Sequence, residues 1–90
     1  MQADRAKVSR LLKTARGQID GILKMVEDDR YCIDIINQLM ATGSILKKVE
    51  GEIFRSHIGH CVMEAFESGD AEQKNEKIGE ILSVVEKLTR

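Results

Sequence analysis

Along the first third of the chain, apolar residues recur at Val8, Leu11, Leu12, Ala15, Ile19, Ile22, Leu23 and Val26, the three-and-four spacing of one helix face. This predicts a helix over residues 5–27 with Asp4 as its N-cap. Gly17 and Gly21 lie four apart inside it, a spacing that suits either a close helix approach or an open surface. The stretch EDDR at 27–30 interrupts the pattern, and Asp28 and Asp29 are N-cap candidates for a second helix. In that helix a heptad runs Cys32, Leu39, Leu46, Ile53, His60, flanked by Ile35, Ile36, Val49 and His57. No turn signal stronger than Gly43 or Gly51 intervenes before Ser68-Gly69, so the second helix is expected over about 30–67, roughly 55 Å of rod. ESGDAEQ then stops one helix and starts another: Gly69 suits the position past a helix end, and Asp70 with Gln73 forms a capping box. The third helix is expected over 71–88, with Ile78, Ile81, Leu82, Val85 and Leu88 inward.

Composition narrows the class. The 90 residues make a single small domain, 42% apolar and 32% charged with no Pro and 3% aromatic, which points to an all-α protein. A chain this short buries little of its surface alone, and a rod of that length calls for a second protomer to cover it. No run of eighteen apolar residues occurs, and MQADRAKVSRLLK lacks the apolar core of a secretory signal, so a cytoplasmic protein with no membrane segment is expected. In that compartment Cys32 and Cys61 stay reduced and suit metal binding or redox sensing better than a disulfide. Burial as ordinary core residues is the plainer alternative. Net charge is −1, but residues 1–24 carry +4 from six cations and two acids. Such a basic first helix makes an electrostatic footprint when copies gather on one face.

His57 and Cys61 stand four apart, on one helix face, where both can reach one ion; a packed pair is the plainer reading of that spacing. Cys32 lies 25 residues before His57, roughly 37 Å away along a continuous helix, so the two cannot share an ion within one chain. In an antiparallel pair of second helices with the two-fold axis near Ile45 or Leu46, residue 32 of one copy meets residues 57–61 of the other. Two identical sites then form.

The stretches RYCIDIINQL and SHIGHC, with RGQIDGI in the first helix and SGD before the third, resemble the copper-sensing branch of the CsoR/RcnR family of metal-responsive transcriptional repressors. The resemblance implies a three-helix protomer forming an antiparallel four-helix-bundle dimer, assembled into a disc-shaped homotetramer. It implies Cu(I) held between protomers by Cys32, His57 and Cys61. Two thiolates and one imidazole make a soft, low-coordinate set suited to Cu(I), whereas Zn(II) usually seeks four ligands and Ni(II) or Co(II) more nitrogen and oxygen. Residues 2–5, QADR, offer neither the N-terminal His of the nickel and cobalt sensors nor the Pro of the formaldehyde sensors. His57 argues against the persulfide-sensing relatives. Around the ligands the resemblance suggests Tyr31 and Glu80 as hydrogen-bonding support, with Glu76 as the rival to Glu80. His60, one residue from Cys61, should point away from the ion, and Met40 and Met63 read as gap-filling residues.

No helix-turn-helix or zinc-finger spacing is visible. Arg10, Lys13 and Arg16 in the first helix and Lys47, Lys48 and Arg55 in the second read as a solvated face on their own. With the resemblance they correspond to the basic patch that binds operator DNA. The family arginine six residues before the first-helix glycine is replaced by Leu11, with Arg10 its nearest neighbour. The function implied is a Cu(I)-responsive repressor, bound to operator DNA when metal-free and released on Cu(I) binding. Alternatives are a reactive-sulfur sensor using Cys32 and Cys61 on the same scaffold, and a cytosolic copper buffer without DNA binding. An enzyme is not expected, since no nucleophile stands with a base and an acid.

Overall fold

The computed structural model describes residues 1–89. Helix α1 spans Arg5–Glu27, α2 Cys32–His57, a π-helical turn Ile58–Val62, α3 Met63–Glu67 and α4 Ala71–Leu88. α2, the π turn and α3 follow one another without a break and make a single rod of roughly 54 Å. The all-α class and the ends of α1 and α4 match the sequence expectation.

Local chemistry explains most of the boundaries. Asp4 caps α1, its carboxylate accepting from the Lys7 amide at 3.1 Å. Asp28 and Asp29, expected to open α2, instead close α1. Asp28 is its C-cap, Asp29 takes the left-handed conformation with φ 53°, and the Asp29 and Arg30 amides bond back to the Val26 and Met25 carbonyls. This is the Schellman pattern usually built on Gly, and Asp is among the few side chains that tolerate it. The α2 N-cap is Tyr31, whose side chain makes no capping bond. At the second turn Gly69 does supply the positive φ, 75°.

Asp70 accepts from the Glu72 and Gln73 amides at 2.9 and 3.3 Å, but the return arm of the expected box is absent. The Asp70 amide donates instead to the Ser68 hydroxyl, which gives its own proton to the Ala65 carbonyl at 2.6 Å. Asp70→Ala should therefore cost about 1 kcal/mol in urea unfolding, and a change under about 0.3 kcal/mol would mean that α4 starts without this cap.

α1 and α2 form an antiparallel hairpin sealed by Val8, Ala15 and Ile22 against Thr42 and Val49. Thr42 is the polar member of this seam, and its hydroxyl donates to Gln18 Oε1 at 2.7 Å, which accounts for the Gln within RGQIDGI. At the seam's open end Lys7 Nζ lies 3.0 Å from Glu52 Oε1. After the Gly69 turn α4 packs on α3 and the π turn, where Val62 and Ala65 are buried. It then diverges from α2, leaving a groove lined by Ile53, Phe54, His57, Val84 and Leu88.

The molecule measures 58 × 29 × 13 Å, so it is one helix thick. Helical domains bury their apolar faces between two layers. A single layer leaves Leu12, Ile19, Leu23 and Val26 of α1, Ile33, Ile36, Leu39 and Leu46 of α2, and Ile78, Leu82, Val85 and Leu88 of α4 exposed.

Several packing expectations change accordingly. The α1 stripe divides into an inward set and an outward one. The α2 heptad positions Leu39, Leu46 and His60 are exposed, and the seam uses Thr42 and Val49 instead. On α4 the residues turned inward are Lys74, Lys77, Glu80, Ile81 and Val84. Met40 and Met63 fill no gap, being 66% and 49% exposed. A Cβ at Gly17 or Gly21 would meet nothing within 4 Å, so within the protomer these glycines are open surface.

Candidate metal centre and basic face

His57 ends α2 and Cys61 lies within the π turn that follows. A π turn hydrogen-bonds over five residues rather than four and recurs at functional sites. The second helix is thus not a uniform α-helix between the two candidate ligands, although their four-residue spacing still brings them near one face. Both are half-buried, while Cys32, the first residue of α2, is exposed. The protomer does not gather the three: Cys32 and His57 occupy opposite ends of α2, roughly 37 Å apart. Among the described residues no group of three or more His, Cys, Asp or Glu side chains is close enough to hold an ion.

His57 Nε2 is 3.2 Å from Glu80 Oε2, and Lys77 Nζ is 3.3 Å from Glu80 Oε1. These two partners, the His57 bond first and then Lys77, hold the Glu80 carboxyl below its ordinary pKa. An ionised carboxylate only accepts, so Nε2 carries the proton in this bond. The Nδ1 lone pair of a neutral His57 is then left for an ion, and Glu80 fixes the ring as an outer carboxylate does in metal sites. Glu80 is therefore the α4 acid that reaches the imidazole, and Glu76 makes no such contact. Tyr31 is 70% exposed beside Cys32, at the far end of the rod from His57. His60 is exposed and borders a depression with Gln2, Gly59, Met63, Glu64 and Glu67, away from the His57–Glu80 bond.

The cations sort by helix face. At about 100° per residue, Leu11 and Val49 mark the facing sides of α1 and α2. Lys7, Arg10 and Lys13 lie to one side of Leu11, and Leu12, Ile19 and Leu23 to the other. On α2, Glu52, Lys48 and Arg55 lie to one side of Val49, and Leu39, Leu46, Cys32 and His57 to the other. Because Lys7 bonds to Glu52, the two polar flanks share one side of the slab. Arg10, Lys13, Lys48 and Arg55 thus form a basic face opposite the apolar one that carries Cys32 and His57. Arg16 falls beside Leu12 and Leu23, and Lys47 beside Met40 and Gly43, so neither joins that face. Leu11 is half-buried at the seam and Arg10 is exposed beside it. The sequence singled out neither Lys7 nor Glu52 as a pair; their registers become visible only once the hairpin pairing is known.

The family described as metal-sensitive transcriptional repressor matches residues 4–87. The chain belongs to that family. Its members are transcriptional repressors rather than enzymes. Among relatives, the copper-sensing transcriptional repressor CsoR of Bacillus subtilis (strain 168) is 40% identical over 87 residues, covering 97% of this chain and 83% of that protein. The copper-sensing transcriptional repressor RicR of Mycobacterium tuberculosis is 34% identical, covering 88% and 81%. In three dimensions the chain is similar to the crystal structure of the copper-sensing repressor CsoR with Cu(I) from Geobacillus thermodenitrificans NG80-2. There the TM-score is 0.85 at 33% identity, over 94% of this chain and 85% of that one. The repressor family and the three-rod architecture read from the sequence therefore stand.

Proposed function

We propose that this family member is a Cu(I)-responsive repressor that occupies operator DNA when metal-free and leaves it when Cu(I) binds. The observation that carries the reading is the donor set: two thiols and one imidazole, all near the side of the slab that lacks a covering layer. Cu(I) prefers soft sulfur and low coordination, which is the chemistry this set supplies. Cys32 of one protomer and His57 and Cys61 of another complete the site, since the ends of one rod cannot meet. Tyr31 arrives with Cys32 and stands ready to complement Glu80 around the imidazole.

A second layer built from another copy covers the exposed apolar face, giving a dimer, and pairing of dimers gives the tetramer. Arg10, Lys13, Lys48 and Arg55 then lie on the outside, where they meet phosphates. Arg16 and Lys47 assist from the rims. The similarity to copper-sensing repressors supports the choice of ion, and a repressor works where its DNA lies, in the cytoplasm.

Anaerobic Cu(I) titration of the protein on a fluorescent duplex, selected by this protein from a random pool, tests the reading. One ion per protomer should release the DNA, and sedimentation at micromolar concentration should show no folded monomer. Stoichiometric Cu(I) binding without DNA release would reduce the protein to a copper buffer. A folded monomer would remove the shared site.

A further inference from the structure

The basic face holds one carboxylate at its centre. Glu52 Oε1 is 3.0 Å from Lys7 Nζ and 3.6 Å from Arg55 Nη2. The Glu52 side chain is only 24% exposed, while Arg55 stands 77% exposed beside it. The carboxyl is held below its ordinary pKa chiefly by the hydrogen bond from Lys7, which outweighs the opposing effect of burial, with the charges of Lys7, Arg55 and Lys48 each contributing less. Three cations from two helices thus surround one anion on the face that the proposed function gives to DNA. Helical spacing accounts for Arg55, three residues on, but not for Lys7, which lies 45 residues away and comes from the other helix.

We propose that Glu52 is a specificity-determining residue of the DNA-binding face, an internal anion that occupies Lys7 and Arg55 in competition with DNA phosphates. This rests on the proposed DNA binding. The physical reasoning is one of exchange. Non-specific binding to duplex DNA consists almost wholly of cations exchanging counterions for phosphates. A lysine already paired with a half-buried carboxylate gains little from a phosphate, because it must give up one anion to meet another. Lys7 is therefore withdrawn from non-specific contact, and Arg55 partly so. A phosphate held in register by contacts to the correct sequence can displace the carboxylate, whereas a loosely placed one cannot. Glu52 lowers affinity for all DNA, and lowers it most for the wrong DNA.

The test compares Glu52→Gln with wild type on two duplexes, one selected from a random pool by the wild-type protein and one of unrelated sequence, across a salt series. Glu50→Gln is the control, since it removes the same charge from the same helix two residues away, on the far side of the seam. Glu52→Gln should tighten unrelated DNA by about threefold or more per freed contact and steepen the log–log salt slope by about 0.9 for each phosphate gained. The preference for the selected duplex should fall, and Glu50→Gln should do much less. Lys7→Gln should leave the slope nearly unchanged in the wild-type background and cancel all of the gain but the Arg55 share in the Glu52→Gln background.

Equal effects of the two Gln variants would reduce Glu52 to one unit of net charge and overturn the proposal. Parallel weakening on both duplexes would make Glu52 a clasp between α1 and α2, also overturning it. If Glu52→Gln fails to fold, Lys7→Gln decides alone: loss of a full unit of slope means that Lys7 already contacts phosphate and that Glu52 does not withhold it. Failure of the wild-type protein to retain any duplex from the random pool at low salt would instead refute the proposed function itself.

Discussion

Cys32→Ala and Cys61→Ala proteins should each lose tight Cu(I) binding, and mixing them should restore part of it. Each variant alone leaves one thiol and one imidazole at every site, and a two-coordinate set with a single sulfur has lost half of the soft donors that dominate Cu(I) affinity. In a mixed dimer, one end combines an intact Cys32 with an intact His57 and Cys61, and the other end has lost both thiols. Random exchange makes half of the dimers mixed, so about one quarter of the wild-type sites should return in an isologous pair. The reason lies in the rod: α2 begins at Cys32 and ends at His57, and no bend within it brings its ends together. Chelator competition under anaerobic conditions reads the recovered fraction. No recovery after mass spectrometry has confirmed subunit exchange would mean that the ligands do not come from two chains.

The second large effect concerns His57, whose removal should separate holding the ion from responding to it. His57→Ala keeps both thiols and should retain tight Cu(I) binding. What it loses is the bond from Nε2 to Glu80, which ties the end of α2 to α4 at 3.2 Å. Wild-type Cu(I) should weaken DNA binding by about 5–150-fold, a typical coupling of about 1–3 kcal/mol, and in the variant the effect should fall below about threefold. Glu80→Ala should behave in the same direction, since it leaves the imidazole but frees its ring. Fluorescence anisotropy with and without saturating Cu(I) measures both. If metal-loaded His57→Ala leaves DNA as readily as wild type, the coupling does not run through the imidazole, and a switch centred on the two thiols alone becomes the better account.

The parts of this molecule that are legible in sequence are those decided by local chemistry. The starts of α1 and α4 and the stop after α3 follow from Asp4, Asp70 and Gly69, whose side chains or backbone freedom act within a few residues of themselves. The separation of Cys32 from His57, roughly 37 Å, was legible for the same reason, because along a helix spacing fixes distance. Misread features are those where two solutions share one composition. Asp28 and Asp29 suit a helix start, yet Asp29 also tolerates the left-handed conformation that finishes one. Apolar residues on α1, α2 and α4 mark what must leave water without saying whether the cover is the same chain or another. In the single layer, Leu39, Leu46 and Leu82 therefore read as core while standing exposed. The Glu52–Lys7 pair was hidden for a further reason: it depends on the register between two helices, which Thr42 and Gln18 also help to fix.

The π turn at Ile58–Val62 has a consequence for how such a chain can vary over time. A π turn amounts to an α-helix holding one residue too many. Removing that residue, Gly59 for instance, would let α2 run straight into α3 with little change of direction beyond it, because five residues of π turn advance about as far around the axis as four of α-helix. α4 would then stay on the side of the rod where Glu80 meets His57. A single-codon change of length within α2, a plain α-helix without such slack, would instead turn everything beyond it by about 100°. Lineages carrying this fold should thus tolerate a lost residue within the turn, with His57 and Cys61 kept, better than one lost from α2, and admit insertions chiefly at Asp28–Arg30, where the chain is already bent.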